Sequence, residues 1–214
     1  LSFGADAGFW APSESATSSV DRPYVLSIGN DLNRDYRTLV DAWRPEYPTL
    51  RIVTRLVVET GKANVEVLAG DWREAHFSDD AIRQIVRDCA FVVLPIRQTI
   101  QPSGQSACLQ AMACGKAVIV SKILGLWDGR AMRHGETCLL VEPGSVDALQ
   151  QSVEKLLRQP DLANRLGAAA RVVIVGRLNT TTMADAMGDI VTKPPPKSRP
   201  LRSRQKAFET AKQD

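Results

Sequence analysis

The sequence predicts an α/β protein in which a parallel sheet is flanked by helices. Short apolar runs alternate along the chain with stretches whose apolar residues recur at helical spacing. Two of the runs, residues 90–95 and 117–120, are apolar throughout, as are strands that helices cover on both faces. Strands and helices that alternate in this way form parallel sheets with right-handed crossovers.

Two helices are predicted in the first half of the chain. The first has an apolar face from Tyr36 to Trp43 and ends before Pro45, because proline cannot continue a helix. The second runs over residues 78–87, where Ser78 is a typical capping residue. The strand candidates around these helices are residues 24–28, 50–54 and 65–68.

The second half of the chain adds two strands and four helices. The strands are the apolar runs named above. Gly115 terminates the first of the helices, Ser145 and Pro160 open the next two, and prolines 194–196 prevent the last from continuing. The four helices are predicted at residues 106–114, 146–157, 161–175 and 180–192.

Charge and composition divide the chain into three parts. We expect residues 1–22 to form a linker between domains or an irregular lead-in, residues 23–192 a single folded domain, and residues 193–214 a flexible basic tail. The tail carries seven basic and two acidic residues, so that residues 1–192 have a net charge of −2 within the total of +3. This charge argues against nucleic acid as a partner of the domain, because nucleic-acid binding needs Lys and Arg clustered on a folded face. We expect the tail to be solvated; contact with an anionic membrane surface is the alternative.

The cysteines and the apolar runs limit the class of protein. The cysteines lie in apolar stretches with no CxxC pair and no paired histidines, which favours reduced, buried thiols over a zinc site. No run approaches the length of a membrane span, and Leu1 opens no signal peptide. We therefore expect a cytoplasmic protein, and the missing initiator Met suggests a fragment or a processed chain.

Two loops that follow predicted strands have the composition of an anion site. After the first strand, Gly29 and Asn30 are followed by Arg34 near the start of a helix. After the strand at 90–95, residues 101–106 lead directly into a helix whose first N–H groups would face the crevice. This pattern predicts phosphate binding without a metal, although a surface ion pair is the alternative for Arg34. Neither the Gly-rich dinucleotide motif nor the P-loop motif occurs.

Two segments carry a resemblance to a known family. Residues 109–121 (LQAMACGKAVIVS) and 135–144 (GETCLLVEPG), followed by Asp147-Ala148-Leu149, resemble the C-terminal half of retaining glycosyltransferases of the GT-B fold, the large group 1 family. The similarity runs from about Tyr24 to Met187. The resemblance implies a Rossmann-like domain, one half of a GT-B fold, with another half before Leu1.

The resemblance also implies a site for a nucleotide-diphosphate-sugar donor. Arg34 falls where the family has a diphosphate-binding lysine, and Gln110 where a glutamate holds the ribose. Trp72 is expected either to stack on the base or to pack inside the fold. The implied donor-binding set is Gly29, Asn30, Gly70, Trp72, Pro102, Ser103, Gly104, Gln105, Ser106 and Gln110, and Arg34 and Arg55 are the implied catalytic cations.

The site departs from the family pattern at several positions. Pro102 stands in place of the first of two paired glutamates, and Asn30 in place of an arginine. Arg55 either restores a positive charge or is a surface residue. With no metal, cofactor or protein nucleophile implied, Arg34, Arg55 and helix N-termini would stabilise the leaving diphosphate.

The acceptor, a sugar, a lipid-linked sugar or another molecule, would be bound by the N-terminal half that the chain lacks. A degenerate binding module without catalysis is the alternative function. An epimerase of the same fold is disfavoured, because such enzymes depend on carboxylates that this site is expected to lack.

Overall fold

One parallel sheet organises the protein. The structure is a computed structural model that describes residues 2–13, 23–69 and 77–192. Within these ranges six strands occur: β1 (Val25–Ile28), β2 (Leu50–Thr54), β3 (Val65–Ala69), β4 (Val92–Leu94), β5 (Val118–Ser121) and β6 (Leu139–Val141). They pair in parallel in the order β3-β2-β1-β4-β5-β6. The predicted α/β class with a Rossmann-like parallel sheet is confirmed.

Helices connect the strands and cover both faces of the sheet. Their bounds are α1 (Tyr36–Ala42), α2 (Asp79–Asp88), α3 (Gln105–Ala113), α4 (Val146–Arg158), α5 (Pro160–Arg177) and α6 (Thr180–Thr192). Each lies within two residues of its predicted bounds. Strand β6 is an element that the sequence patterns did not predict, because three residues are too few to show a period.

The two faces of the sheet bury separate apolar clusters, since neighbouring residues of a strand point to opposite faces. Leu26 and Val92 pack with the buried faces of α2, α3 and α5. Val25 and Val93 pack with α1 and α4 on the other face. This two-sided burial explains why the central strands are apolar at consecutive positions.

The order of the strands reverses beside β1. The chain moves outward from β1 to β3, returns to β4 on the other side of β1, and continues to β6. The connections that leave β1 and β4 therefore diverge at the carboxyl ends of these strands. In open parallel sheets this point is where ligands bind.

Residues 2–13 pack against the C-terminal helices. The amide of Ala5 donates to the carbonyl of Leu178 at 2.8 Å, and its carbonyl accepts from the amide of Thr180 at 3.1 Å. The Arg171 guanidinium donates to the carbonyl of Trp10 at 3.0 Å. These contacts fix the buried Trp10 ring beside the carboxyl end of the sheet. In the described part of the chain, no helix has the length and apolar character that crossing a membrane requires.

Candidate functional site

A cavity of about 650 Å³ lies at the carboxyl ends of β1 and β4, and we call it the switch-point crevice. Its walls are the loops after these strands, the first turns of α2 and α3, and Trp10. The structure brings together at this place the following residues that the sequence assigned to the donor site: Gly29, Asn30, Arg34, Pro102, Ser103, Gly104, Gln105, Ser106 and Gln110. Arg55 is exposed and does not line the cavity. The assignments of Gly70 and Trp72 lie outside the described residues.

Arg34 is held in the wall of the crevice by its backbone. The amide of Asp35 donates to the carbonyl of Pro95 at 3.0 Å, and the amide of Arg97 donates to the carbonyl of Asn33 at 2.8 Å. The segment around Arg34 is therefore tied to the chain that leaves β4. The Arg34 side chain is 3% exposed, so Arg34 forms an ion pair with Asp31 but does not lie at the surface.

The Arg34 guanidinium lies between two glycines. A Cβ atom on Gly29 would overlap the guanidinium directly, and one on Gly104 would stand 2.9 Å from Nη1. Both glycines have positive φ angles, 150° and 78°, which L side chains rarely adopt. Glycine is thus required at both positions for two reasons: the backbone conformation there, and the space that the guanidinium fills.

Two nitrogens of the guanidinium receive no hydrogen-bond acceptor from the described residues. Nε lies 3.0 Å from Asp31 Oδ2 as an ion pair, but among the described residues neither Nε nor Nη1 has a hydrogen-bond partner, and both atoms are buried. A buried donor without a partner costs about 1–3 kcal/mol, more when it is charged. Buried polar groups in native proteins nearly always have a hydrogen-bond partner, so these two nitrogens call for an acceptor that the described residues do not supply.

Helix α3 directs its N-terminus into the same crevice. Gly104 is its N-cap and provides no side-chain cap. The first amides of a helix have no partner within it, and the helix dipole adds a partial positive charge there. The N–H groups of Gln105 and Ser106 therefore reinforce the charge of Arg34 and favour an anion such as phosphate.

The loop after β1 is braced from two sides. The carbonyl of Gly29 accepts hydrogen bonds from the Tyr36 hydroxyl and from Thr54 Oγ1, both at 2.7 Å. Burial raises the pKa of Tyr36, so its hydroxyl stays a donor at neutral pH. Asn30 Oδ1 accepts from the amide of Arg55 at 2.8 Å, which uses the backbone of Arg55 and leaves its side chain at the surface.

Asp31 is a residue of the crevice that the sequence analysis did not select. Its Oδ1 accepts hydrogen bonds from Ser103 Oγ and, at 3.2 Å, from the amide of Asn33. A second carboxylate, that of Asp79 in the first turn of α2, also lines the cavity. The crevice therefore contains two carboxylates that the sequence analysis did not assign to it. The contact between Asp31 and Ser103 joins residues 72 positions apart, so no local pattern could reveal it.

The remaining wall of the crevice is largely apolar. Trp10, Ile28, Phe77 and Ile82 contribute it, together with the amide side chain of Gln110. The site thus combines a cationic, N–H-rich part with an apolar part, inside the size range of small-molecule pockets. This combination suits a ligand that carries a phosphate group and a flat, partly apolar group. Trp10, Phe77 and Ile82 were not predicted here, because their positions depend on packing between distant elements.

The protein is similar in fold to several solved structures. A sucrose-phosphate synthase from Thermosynechococcus elongatus is 23% identical with a TM-score of 0.72, over 88% of this chain and 50% of the other. Anabaena HepE, solved with UDP and glucose, is 18% identical with a TM-score of 0.71, over 89% and 55%. The C-terminal domain of a group 1 glycosyl transferase from Francisella tularensis is 17% identical with a TM-score of 0.64, over 83% and 100%.

The share of each solved structure that this chain covers is consistent with the family that its sequence matches. This chain spans about half the length of the first two structures and the whole of the isolated C-terminal domain. A comparison with curated protein sequences finds no match. Residues 22–159 match the family model described as "Glycosyl transferases group 1". The chain therefore belongs to the group 1 glycosyl transferases.

Proposed function

We propose that this chain is the donor-binding domain of a retaining, metal-independent glycosyltransferase that transfers a hexose-type sugar from a nucleotide-diphosphate-sugar. The observation that carries the proposal is the buried Arg34 guanidinium, whose Nε and Nη1 lack hydrogen-bond partners among the described residues, beside the N-terminus of α3. A diphosphate would supply the missing acceptors. The complex of Anabaena HepE with UDP and glucose supports this class of ligand.

In this proposal the crevice stabilises the departing diphosphate. As the bond from the sugar to the diphosphate breaks, negative charge grows on the phosphate oxygens. Arg34 and the amides of Gln105 and Ser106 are fixed in place beforehand, so they can stabilise that charge without reorganising. Gln110 would bind the ribose hydroxyls, since an amide both donates and accepts, and the apolar wall would contact the base. No cofactor is required.

The acceptor site and the cellular location of the reaction belong to the same proposal. Because the chain spans about half the length of the similar full-length structures, we assign the acceptor site and its general base to another domain. The acceptor class is a sugar, a lipid-linked sugar or another molecule. We propose a cytoplasmic location for the reaction, with contact at the inner membrane surface as the alternative.

Calorimetric titration with UDP, GDP and their sugars tests the proposal. Arg34→Ala should weaken the binding of the preferred nucleotide by about 1.5–3 kcal/mol, the range for a hydrogen bond to a charged group. Arg37→Ala is the matched control, because Arg37 is 82% exposed and, within the described part of the chain, pairs only with Asp41 on α1. Lack of binding to every nucleotide at millimolar concentration would refute the donor site, and equal affinity of the two variants would remove Arg34 from it.

A binding module without catalysis is the second candidate, and Pro102 favours it. Pro102 is exposed in the wall of the crevice, where its side chain can neither donate, accept nor carry charge. If the module has lost catalysis, the full-length protein should bind the nucleotide sugar and neither transfer nor hydrolyse it. Pro102→Glu should then leave binding measurable and raise donor turnover. Turnover by the unaltered protein would reject this second candidate.

A further inference from the structure

The carboxylate of Asp31 lies where a ligand phosphate would bind. Its Oδ2 is 3.0 Å from Arg34 Nε, and its Oδ1 accepts hydrogen bonds from Ser103 Oγ and from the amide of Asn33. The carboxylate thereby joins the loop after β1 to the loop that precedes α3, across the mouth of the crevice. A cation, a hydroxyl and a backbone amide are also the groups that bind phosphate oxygens in proteins.

Asp31 differs from the other groups of the crevice in its freedom to move. The Arg34 side chain is 3% exposed, whereas that of Asp31 is 37% exposed. Rotation of the Asp31 side chain would carry its carboxylate into water at little desolvation cost. A ligand phosphate that took its place would replace its contacts with Arg34, Ser103 and the amide of Asn33. Arg34, fixed between Gly29 and Gly104, has no comparable freedom.

We propose that Asp31 is a specificity-determining residue that occupies the anion position in the empty crevice and is displaced by the phosphate of the ligand. The proposal rests on the proposed donor site. The Asp31 carboxylate partly neutralises Arg34 in the free protein and repels an incoming anion. Asp31 therefore lowers the affinity of the crevice for phosphates, and this loss of affinity is larger for ligands of higher negative charge.

This charge dependence separates donor from product. A nucleotide sugar has no free terminal phosphate and carries two negative charges, whereas the free nucleoside diphosphate carries about three near neutral pH, because its terminal phosphate has a second pKa near 6. The carboxylate would disfavour the diphosphate product over the donor. Product release and discrimination in favour of the donor would both follow from this one residue.

Asp31→Asn is the variant that tests the proposal. The amide keeps an oxygen that can accept from Ser103 and from the amide of Asn33, so the local turn is retained while the charge is removed. Asp41→Asn is the matched control, since Asp41 is likewise an acid paired with an arginine near α1, but at the surface. Both variants change the net charge equally, and unfolding curves verify that both are folded.

The measurement is the dissociation constant of the full chain for inorganic pyrophosphate, UDP, GDP and their sugars at one pH and ionic strength. Asp31→Asn should bind pyrophosphate at least about fourfold more tightly than the unaltered chain, the effect of one pair of unit charges roughly 5 Å apart at the dielectric constant of bulk water, which is the weakest case. It should also bind the free diphosphate more tightly relative to the nucleotide sugar. Asp41→Asn should change neither value by more than about twofold, because surface charges are screened.

The outcomes separate this proposal from the proposed function. Unchanged or weakened pyrophosphate binding in Asp31→Asn would overturn the role of Asp31, and nucleotide binding by the unaltered chain would still support the donor site. Tighter pyrophosphate binding with no binding of any nucleotide would support the role of Asp31 and reject the donor site. Absence of binding to every probe by both proteins would overturn both.

Discussion

Gly104→Ala should destabilise the domain and also weaken diphosphate binding. Gly104 has a φ angle of 78°, and an alanine there costs about 1–2 kcal/mol of backbone strain. The added Cβ would stand 2.8 Å from Ile96 Cδ1 and 2.9 Å from Arg34 Nη1, both closer than carbon contacts normally allow. Ile96 is fully buried and cannot yield easily. Overpacking of this kind adds about 1–3 kcal/mol to the loss of stability.

The same clash should displace the guanidinium from the crevice. The new Cβ would press on Arg34 Nη1 while Gly29 confines the guanidinium on its other side, so the guanidinium must leave its position. We therefore expect the affinity for the preferred nucleoside diphosphate to fall by about 1.5–3 kcal/mol, as for loss of a charge-assisted hydrogen bond. Denaturant unfolding and calorimetric titration measure the two effects separately.

Gly144→Ala is the matched control for this prediction. Gly144 has a nearly identical φ angle of 75°, but a Cβ there would meet nothing within 4 Å. The control should show the strain of about 1–2 kcal/mol and unchanged affinity. If Gly104→Ala loses no more stability than Gly144→Ala and binds the nucleotide normally, Arg34 does not lie where the structure places it.

Three further predictions concern the framework of the site. Gly167→Ala should destabilise the fold by about 1–3 kcal/mol, because the new Cβ would overlap the carbonyl oxygen of Gly115. At Gly176, on the same helix, a Cβ would meet nothing within 4 Å, so Gly176→Ala should raise the free energy of unfolding by up to about 1 kcal/mol. Unfolding curves of the two variants test this difference. Thr54→Val should lower the free energy of unfolding by about 1 kcal/mol, because it removes a buried hydrogen bond to the Gly29 carbonyl, and equal stability would contradict this. Burial raises the pKa of the Cys89 thiol to about 12, from an ordinary value of 9.0. As pH rises from 9.0 to about 12, the Cys89 thiol loses its proton in the unfolded state and keeps it in the folded state. The free energy of unfolding should therefore decrease over this pH range, and it should decrease less steeply in Cys89→Ala.

The sequence predicted the sheet and its helices because both depend on local patterns. The apolar runs and the capping residues Ser78 and Ser145 mark elements that the structure contains. The cysteines, expected as reduced thiols, are unpaired and buried in the described part of the chain. Strand β6 was missed because Leu139–Val141 depends on pairing with β5 rather than on a period of its own. The family follows from the matched residues, whereas the extent of the lead-in and the tail stays a prediction.

The sequence predicted the positions of crevice residues that follow strands or begin a helix, and it missed residues that contacts between distant segments bring to the crevice. Gly29, Arg34 and Gly104 lie at the ends of strands or at the start of a helix, so their positions follow from the topology. Asp31 and Trp10 face the crevice through contacts with distant parts of the chain. Arg55 was assigned by its charge and by its position after the second strand, and its exposed side chain does not line the cavity. The roles assigned to these residues stay predictions until a ligand is bound.

The most direct test of the claim that the switch-point crevice binds a diphosphate is a crystal structure of the chain with UDP or GDP. We predict phosphate oxygens about 2.7–2.9 Å from Arg34 Nε or Nη1, the range for charge-assisted hydrogen bonds, and close to the amides of Gln105 and Ser106. A nucleotide bound elsewhere on the domain, with the Arg34 guanidinium still without an acceptor, would contradict the account.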